Sequence, residues 1–183
     1  MTMKKKQIII DYKIINSFRK GELWAFELIY QEISSFIFNV AYKMINSQQE
    51  TEDLTHDIFV KLYNNACYFN ESIKFTIWAY QIAVNDILKH LNRKKNLFRK
   101  FIDFLFYNNS VFNSDVNKIE YEDNTKTFYE TFLCIKPEFR ICLILREFEG
   151  QSYHEIADIL KINLSLVKYR INCVNTELFT KVS

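Results

Sequence analysis

Two glycines and one proline among 183 residues leave this sequence almost without turn-formers. Sandwiches, barrels and Rossmann-type sheets turn many corners on these residues, so their scarcity excludes strand-rich and doubly wound folds and points to an all-α architecture. The same lack removes the Gly-rich loops that cradle phosphates, and we find no nucleophile with a base and no paired carboxylates in a Gly-framed site, so neither catalysis nor a small-molecule substrate is expected. Of the four cysteines, Cys67, Cys134, Cys142 and Cys173, no two form a Cys-x-x-Cys pair, and His56, His90 and His154 are not spaced as ligands around them. No metal and no cofactor are therefore expected, and the thiols read as reduced, buried small hydrophobes of a cytoplasmic protein. No stretch reaches the roughly 18 uncharged apolar residues of a membrane span. At the basic start, Ile8, Ile9 and Ile10 are the whole apolar run before Asp11, too short for a signal peptide, so no membrane insertion is expected.

What the chain does have is helical periodicity. From Ile15 to Leu91 apolar residues recur at that spacing in three runs, interrupted near Asn46 and Ser47 and again from Asn64 to Ser72. The first run carries Leu23, Phe26, Ile29, Tyr30, Ile33, Ile37, Val40 and Met44, the second Leu54, Ile58, Phe59 and Leu62, the third Trp78, Ile82, Ala83, Leu88 and Leu91. This predicts a helical domain over 15–95, a linker over 96–124 and a second helical domain over 125–180. The net charge of +2 is too small to argue nucleic-acid binding, but its distribution is uneven. Lys89, Arg93, Lys94, Lys95, Arg99 and Lys100 cluster without an acid among them, and Asp103, Asp115, Glu120, Glu122, Asp123 and Glu130 follow with only Lys118 and Lys126 in between. Phe98, Phe101, Phe104, Leu105 and Phe106 would be sticky if fully exposed, so the linker is expected to pack on a domain or on a partner.

From Leu145 to Ile171 two short amphipathic runs meet at a turn in helix-turn-helix order. Ala157 is the small residue where the helices cross. Ile156 and Leu160 form the inner face of the first helix, Ile162 and Leu164 bracket the turn, and Val167 and Ile171 recur on the second, which Ser165 can cap. Lys161 falls at the turn position that favours Gly, where a non-Gly residue costs roughly 1 kcal/mol. Leu166, Lys168, Tyr169, Arg170 and Asn172 then face the major groove, where Lys and Arg meet phosphate or guanine and Asn meets adenine.

Four separated stretches together resemble the extracytoplasmic-function class of bacterial sigma-70 factors. They are Gly21 to Tyr30, Glu52 to Tyr63, Trp78 to Asn85, and Leu145 to Ile171. The resemblance implies core RNA polymerase and promoter DNA as partners, with an anti-sigma factor as the inhibitor such proteins often have. It assigns Glu52, Asp53, Leu54, Asp57 and Phe59 to polymerase binding; Asp53 and Asp57 stand one helical turn apart and can face a basic partner, while Leu54 and Phe59 supply apolar surface or anchor the helix. It assigns Trp78, Asn85, Lys89, Arg93 and Lys94 to the melted upstream promoter element, where stacking and counterion release act together. Ser165, Leu166, Lys168, Tyr169, Arg170 and Asn172 go to the minus-thirty-five element. The chain departs from the pattern at Gln81 and Val84, where basic residues are common, and after Arg170, where Asn172, Cys173, Val174 and Asn175 replace a basic run. A groove helix so poor in charge predicts weak binding to isolated promoter DNA.

Two other readings compete with a sigma factor. One is a diverged sigma-like protein that binds polymerase without productive promoter recognition. The other is an ordinary helix-turn-helix regulator, which would dimerise on a palindromic site.

Overall fold

The computed structural model describes the backbone of residues 10–108 and 132–182 and the side chains of 10–97 and 132–176. The acidic and aromatic stretch expected to bridge the domains lies outside the described side chains. Helix α1 (Tyr12–Arg19) starts where the Asp11 side chain accepts from the Lys13 amide at 2.7 Å. It ends at Gly21, whose φ of 80° turns the chain into α2 (Leu23–Ile45). Along α2, Ala25, Ile29, Ile33, Phe36, Ile37, Val40, Ala41 and Met44 are buried at helical spacing, making it the spine of the first unit. Each large side chain so buried contributes about 1.5–3 kcal/mol by transfer from water.

The interruption expected at Asn46 and Ser47 is a helix-to-helix switch. Asn46 adopts φ 58°, the left-handed cap that Asn tolerates, and the Ser47 side chain accepts from the Glu50 amide to begin α3 (Gln48–Asn64). Ile58, Phe59 and Leu62 pack α3 back on α2. A single turn of 3-10 helix (Ala66–Tyr68) leads to α4 (Phe75–Asn108), 34 residues and about 50 Å long. The helix runs on through residues 96–108, so the first part of the stretch read as the linker, where a short helix was possible, continues α4. The absence of Gly and Pro in that stretch leaves nothing to stop it.

The second unit opens with a helical turn at 132–134 and α5 (Pro137–Leu143), with Pro at its first position, where no amide hydrogen is needed. A π-helical turn (Ile144–Phe148) follows, and Gly150 at φ 63° redirects the chain. Helix α6 (Tyr153–Leu160) begins with a capping box between Ser152 and Glu155, and Lys161 ends it at φ 53°, the strained turn position expected from the sequence. Helix α7 (Leu164–Val182) carries Val167, Ile171 and Val174 into the core.

The two units touch. The buried residues form one cluster that runs from Phe18 to Val174. Gln81 Nε2 on α4 donates to the Asp158 carbonyl on α6 at 2.9 Å, and Arg140 Nη2 donates to the Met44 carbonyl at 3.4 Å. Lys43 pairs with Glu149 at 3.5 Å and sits over the Phe148 ring.

Candidate functional site

Three surfaces collect the candidate residues. On α3, the buried face holds Thr51, Thr55, Ile58, Phe59 and Leu62, which turns Glu52, Asp53, His56 and Asp57 outward. Glu52 accepts from Gln48 at 2.9 Å, whereas neither Asp53 nor Asp57 has an ionic partner among the described residues. Leu54 is half-buried. Phe59 is 2% exposed, 4.5 Å from the Tyr30 ring and 6.2 Å from Phe26, so it anchors the helix and cannot itself be contact surface. Exposed apolar area on the carboxylate face of α3 comes instead from Val60, and Tyr30 of α2, also exposed, packs its ring on Phe59; sequence reasoning missed both. Val60 stands three residues after Asp57, and that spacing was available as a signal.

The second surface is on α4. Trp78 is half-buried, with its ring 5.4 Å from both Phe69 and Phe75, so it belongs to an aromatic cluster while part of its surface stays exposed. Asn85, Lys89 and Arg93 are exposed along the helix. Lys94 is not free in the same way, because its ammonium is bound by Glu50 of α3 at 2.7 Å, with His90 joining at 3.3 Å. The Lys94 hydrogen bond, and then the one with His90, hold the Glu50 carboxyl below its ordinary value. Lys61 and Asp86 make a second tie between α3 and α4 at 2.7 Å. The two departures noted on this helix, Gln81 and Val84, are both buried. Burial also pushes the Tyr80 phenol well above its ordinary value, and the nearby Glu149 and Glu155 carboxylates of the second unit add to this.

The third surface is the helix-turn-helix. Ser165, Lys168, Tyr169 and Asn172 are exposed on α7, and Leu166 is half-buried. Two assignments are corrected. Asn163, not Ser165, caps the helix, its side chain accepting from the Leu166 amide at 2.7 Å. Arg170 turns away from the groove face, where Nη1 donates to the Glu138 carbonyl at 3.2 Å and the guanidinium lies over the Phe139 ring at 5.7 Å. It therefore fastens α7 to α5. Lys168 is the one cation left on the groove face among the described residues of α7. Among the described residues no group of His, Cys, Asp and Glu could hold a metal, and no helix is long and apolar enough to cross a membrane.

Comparison with known proteins matches these surfaces to two family profiles, Sigma-70 region 2 over residues 29–97 and Sigma-70, region 4 over residues 132–172. The chain is 25% identical over 169 residues to the RNA polymerase sigma-H factor of Pseudomonas aeruginosa, covering 88% of each chain. It is 28% identical over 158 residues to the RNA polymerase sigma factor YlaC of Bacillus subtilis, covering 81% of this chain and 84% of that one. In fold it is similar to CnrH in its complex with the cytosolic domain of CnrY, with TM-score 0.65, 16% identity and coverage of 92% and 94%. It is also similar to the sigma factor RpoE in complex with the anti-sigma factor NepR from Bartonella quintana, with TM-score 0.63, 17% identity and coverage of 84% and 93%.

Proposed function

The chain belongs to the sigma-70 family, and from that premise we propose that it acts as an RNA polymerase sigma factor that docks on core polymerase through α3 and brings two DNA-reading surfaces to a promoter. Its family consists of transcription initiation factors rather than catalysts. The observation that carries the docking assignment is the pair of exposed carboxylates, Asp53 and Asp57, one turn apart, without ionic partners among the described residues and followed one turn on by exposed Val60. Such a surface fits a basic partner with an apolar centre. Around it, Glu52 and Leu54 complete the docking face, and Phe59 keeps its helix in place.

On α4 the exposed part of Trp78 offers stacking surface to unpaired bases, Asn85 a donor and acceptor for base edges, and Lys89, Arg93 and Lys94 a positive track for the backbone. Exchange of Glu50 for phosphate would free Lys94 for that role. On α7, Lys168 meets phosphate, and Tyr169, Asn172, Ser165 and Leu166 meet the minus-thirty-five element. The protein works in the cytoplasm, where its polymerase is, and an anti-sigma factor is a further partner of the class.

The test is the double substitution Asp53→Lys with Asp57→Lys. It should abolish co-elution with core polymerase while leaving the helical circular dichroism and melting temperature unchanged, since both side chains are exposed. Retained binding would remove α3 as the docking element. The diverged, non-initiating reading gains support from Arg170. With that cation turned inward, free protein should bind promoter duplex weakly and with a shallow salt dependence, because few phosphates are neutralised.

A further inference from the structure

Beside the basic track of α4, an anion of the protein's own already holds two of the donors. Asp86, His90 and Lys94 recur every fourth residue on α4 and meet Lys61 and Glu50 of α3, while Asn85, Lys89 and Arg93 form the neighbouring, exposed stripe one residue round the helix. Glu50 accepts from Lys94 Nζ through both oxygens, at 2.7 and 3.0 Å, and its Oε2 stands 3.3 Å from His90 Nε2. Two donors about 6 Å apart along the axis thus converge on one anion. A backbone phosphate offers the same negative charge to the same donors.

Nothing buries this clasp. The Lys94 side chain is 61% exposed, so an incoming strand reaches it without opening the core. The other tie, Lys61 to Asp86 at 2.7 Å, involves a more buried acid and keeps α3 joined to α4 when Glu50 lets go. Glu50 also has a second seat. It is the third residue of α3, and its amide donates to the Ser47 cap at 3.4 Å, which is half of a capping box. The reciprocal half, the Glu50 carboxylate on the Ser47 amide, is not made, although the same spacing at Ser152 and Glu155 makes both halves. Lys94 and His90 have drawn the carboxylate away from its own helix.

We propose that His90 and Lys94 form a site for a backbone phosphate of single-stranded DNA, that the Glu50 carboxylate occupies it in the free protein, and that Glu50 retires to the Ser47 amide when a strand phosphate takes its place. This rests on the DNA-binding reading of α4 and adds the residue that sets its strength. A lone phosphate must displace an anion already tethered beside the site, whereas a strand that also meets Lys89 and Arg93 gains the advantage of several linked contacts. Glu50 therefore selects an extended strand over a free anion.

The test follows the anisotropy of a fluorescein-labelled oligothymidylate binding to the full chain over a salt series. Glu50→Gln should tighten binding roughly three- to fivefold, the worth of an exposed ion pair that no longer has to be broken, and steepen the dependence of log Kd on log salt by roughly 0.7, the contribution of one strand phosphate. In a Lys94→Ala background the same substitution should do neither. Glu32→Gln, which removes an exposed carboxylate from α2, should leave binding as in the wild type. Circular dichroism at the assay temperature shows that each variant is folded. An equal gain from Glu32→Gln, or with Lys94 absent, would overturn the site, as would an unchanged salt slope or no binding by any of these proteins. Release of the oligonucleotide by inorganic phosphate at matched ionic strength would also overturn it and assign the cluster to a free anion. Run-off transcription reads the sigma function separately: the full binding pattern in a protein that supports no transcript would uphold the phosphate site and count against the sigma reading alone.

Discussion

Replacing Arg170 by Ala separates a structural arginine from a DNA-reading one. Its Nη1 donates to the Glu138 carbonyl at 3.2 Å, and its guanidinium lies 5.7 Å from the centre of the Phe139 ring. A hydrogen bond from a charged donor contributes about 1.5–3 kcal/mol, and a cation–π contact at a partly exposed site about 0.5–1 kcal/mol. The two share one side chain and are not additive, so a loss of about 2–3 kcal/mol is expected. For a chain of this size that corresponds to a fall of roughly 5–10 °C in melting temperature. Arg170→Lys should fall between, since an ammonium keeps a donor but not the planar stack on Phe139. Thermal melts followed by circular dichroism give the stability, and fluorescence anisotropy on a promoter duplex gives binding at a temperature where every variant is folded. An unchanged melting temperature with DNA binding weakened tenfold or more would refute the reasoning and return Arg170 to the groove.

Two further outcomes follow from local geometry. Lys161→Gly should stabilise the second unit by about 1 kcal/mol, because φ 53° strains any residue with a Cβ, and chemical denaturation would reveal it as a higher midpoint with unchanged slope. Glu50→Gln should cost stability only above the acid range: the folded carboxyl titrates below its ordinary value of 4.5, so its contribution is present above that value and lost as pH falls through the folded one. Solvent around the half-exposed Glu50 and Lys94 keeps this contribution under about 1 kcal/mol, and melts of both proteins should converge as pH drops below the ordinary carboxylate range.

Local signals in the sequence carried most of the helices. Few turn-formers meant helices, apolar periodicity outlined α2, α3 and the first part of α4, and the Asn46–Ser47 break is visible because both residues are capping types. The strained turn at Lys161 was legible for the same reason. Adjacent capping residues blurred register, however: Asn163 and Ser165 are both good N-caps, and only the hydrogen bond to Leu166 chooses between them. Ser152 and Glu155 spell a capping box three residues apart, a readable signal that was not used. The length of α4 was not legible because the aromatics after residue 95 read as a possible short helix of a linker, and no local signal showed that this helix continues α4 without a break. The role of Arg170 and the burial of Gln81 were illegible for a different reason. Each depends on a partner 32 or 77 residues away, and no local pattern distinguishes an arginine that reads a groove from one that braces a helix.

The most direct measurement of the central claim is run-off transcription with sigma-free core polymerase from a related bacterium, this protein, and a library of genomic promoter fragments. A defined set of transcripts sharing two separated upstream elements, lost with Asp53→Lys and Asp57→Lys, is the predicted result. No transcript, together with no binding to polymerase, would contradict it.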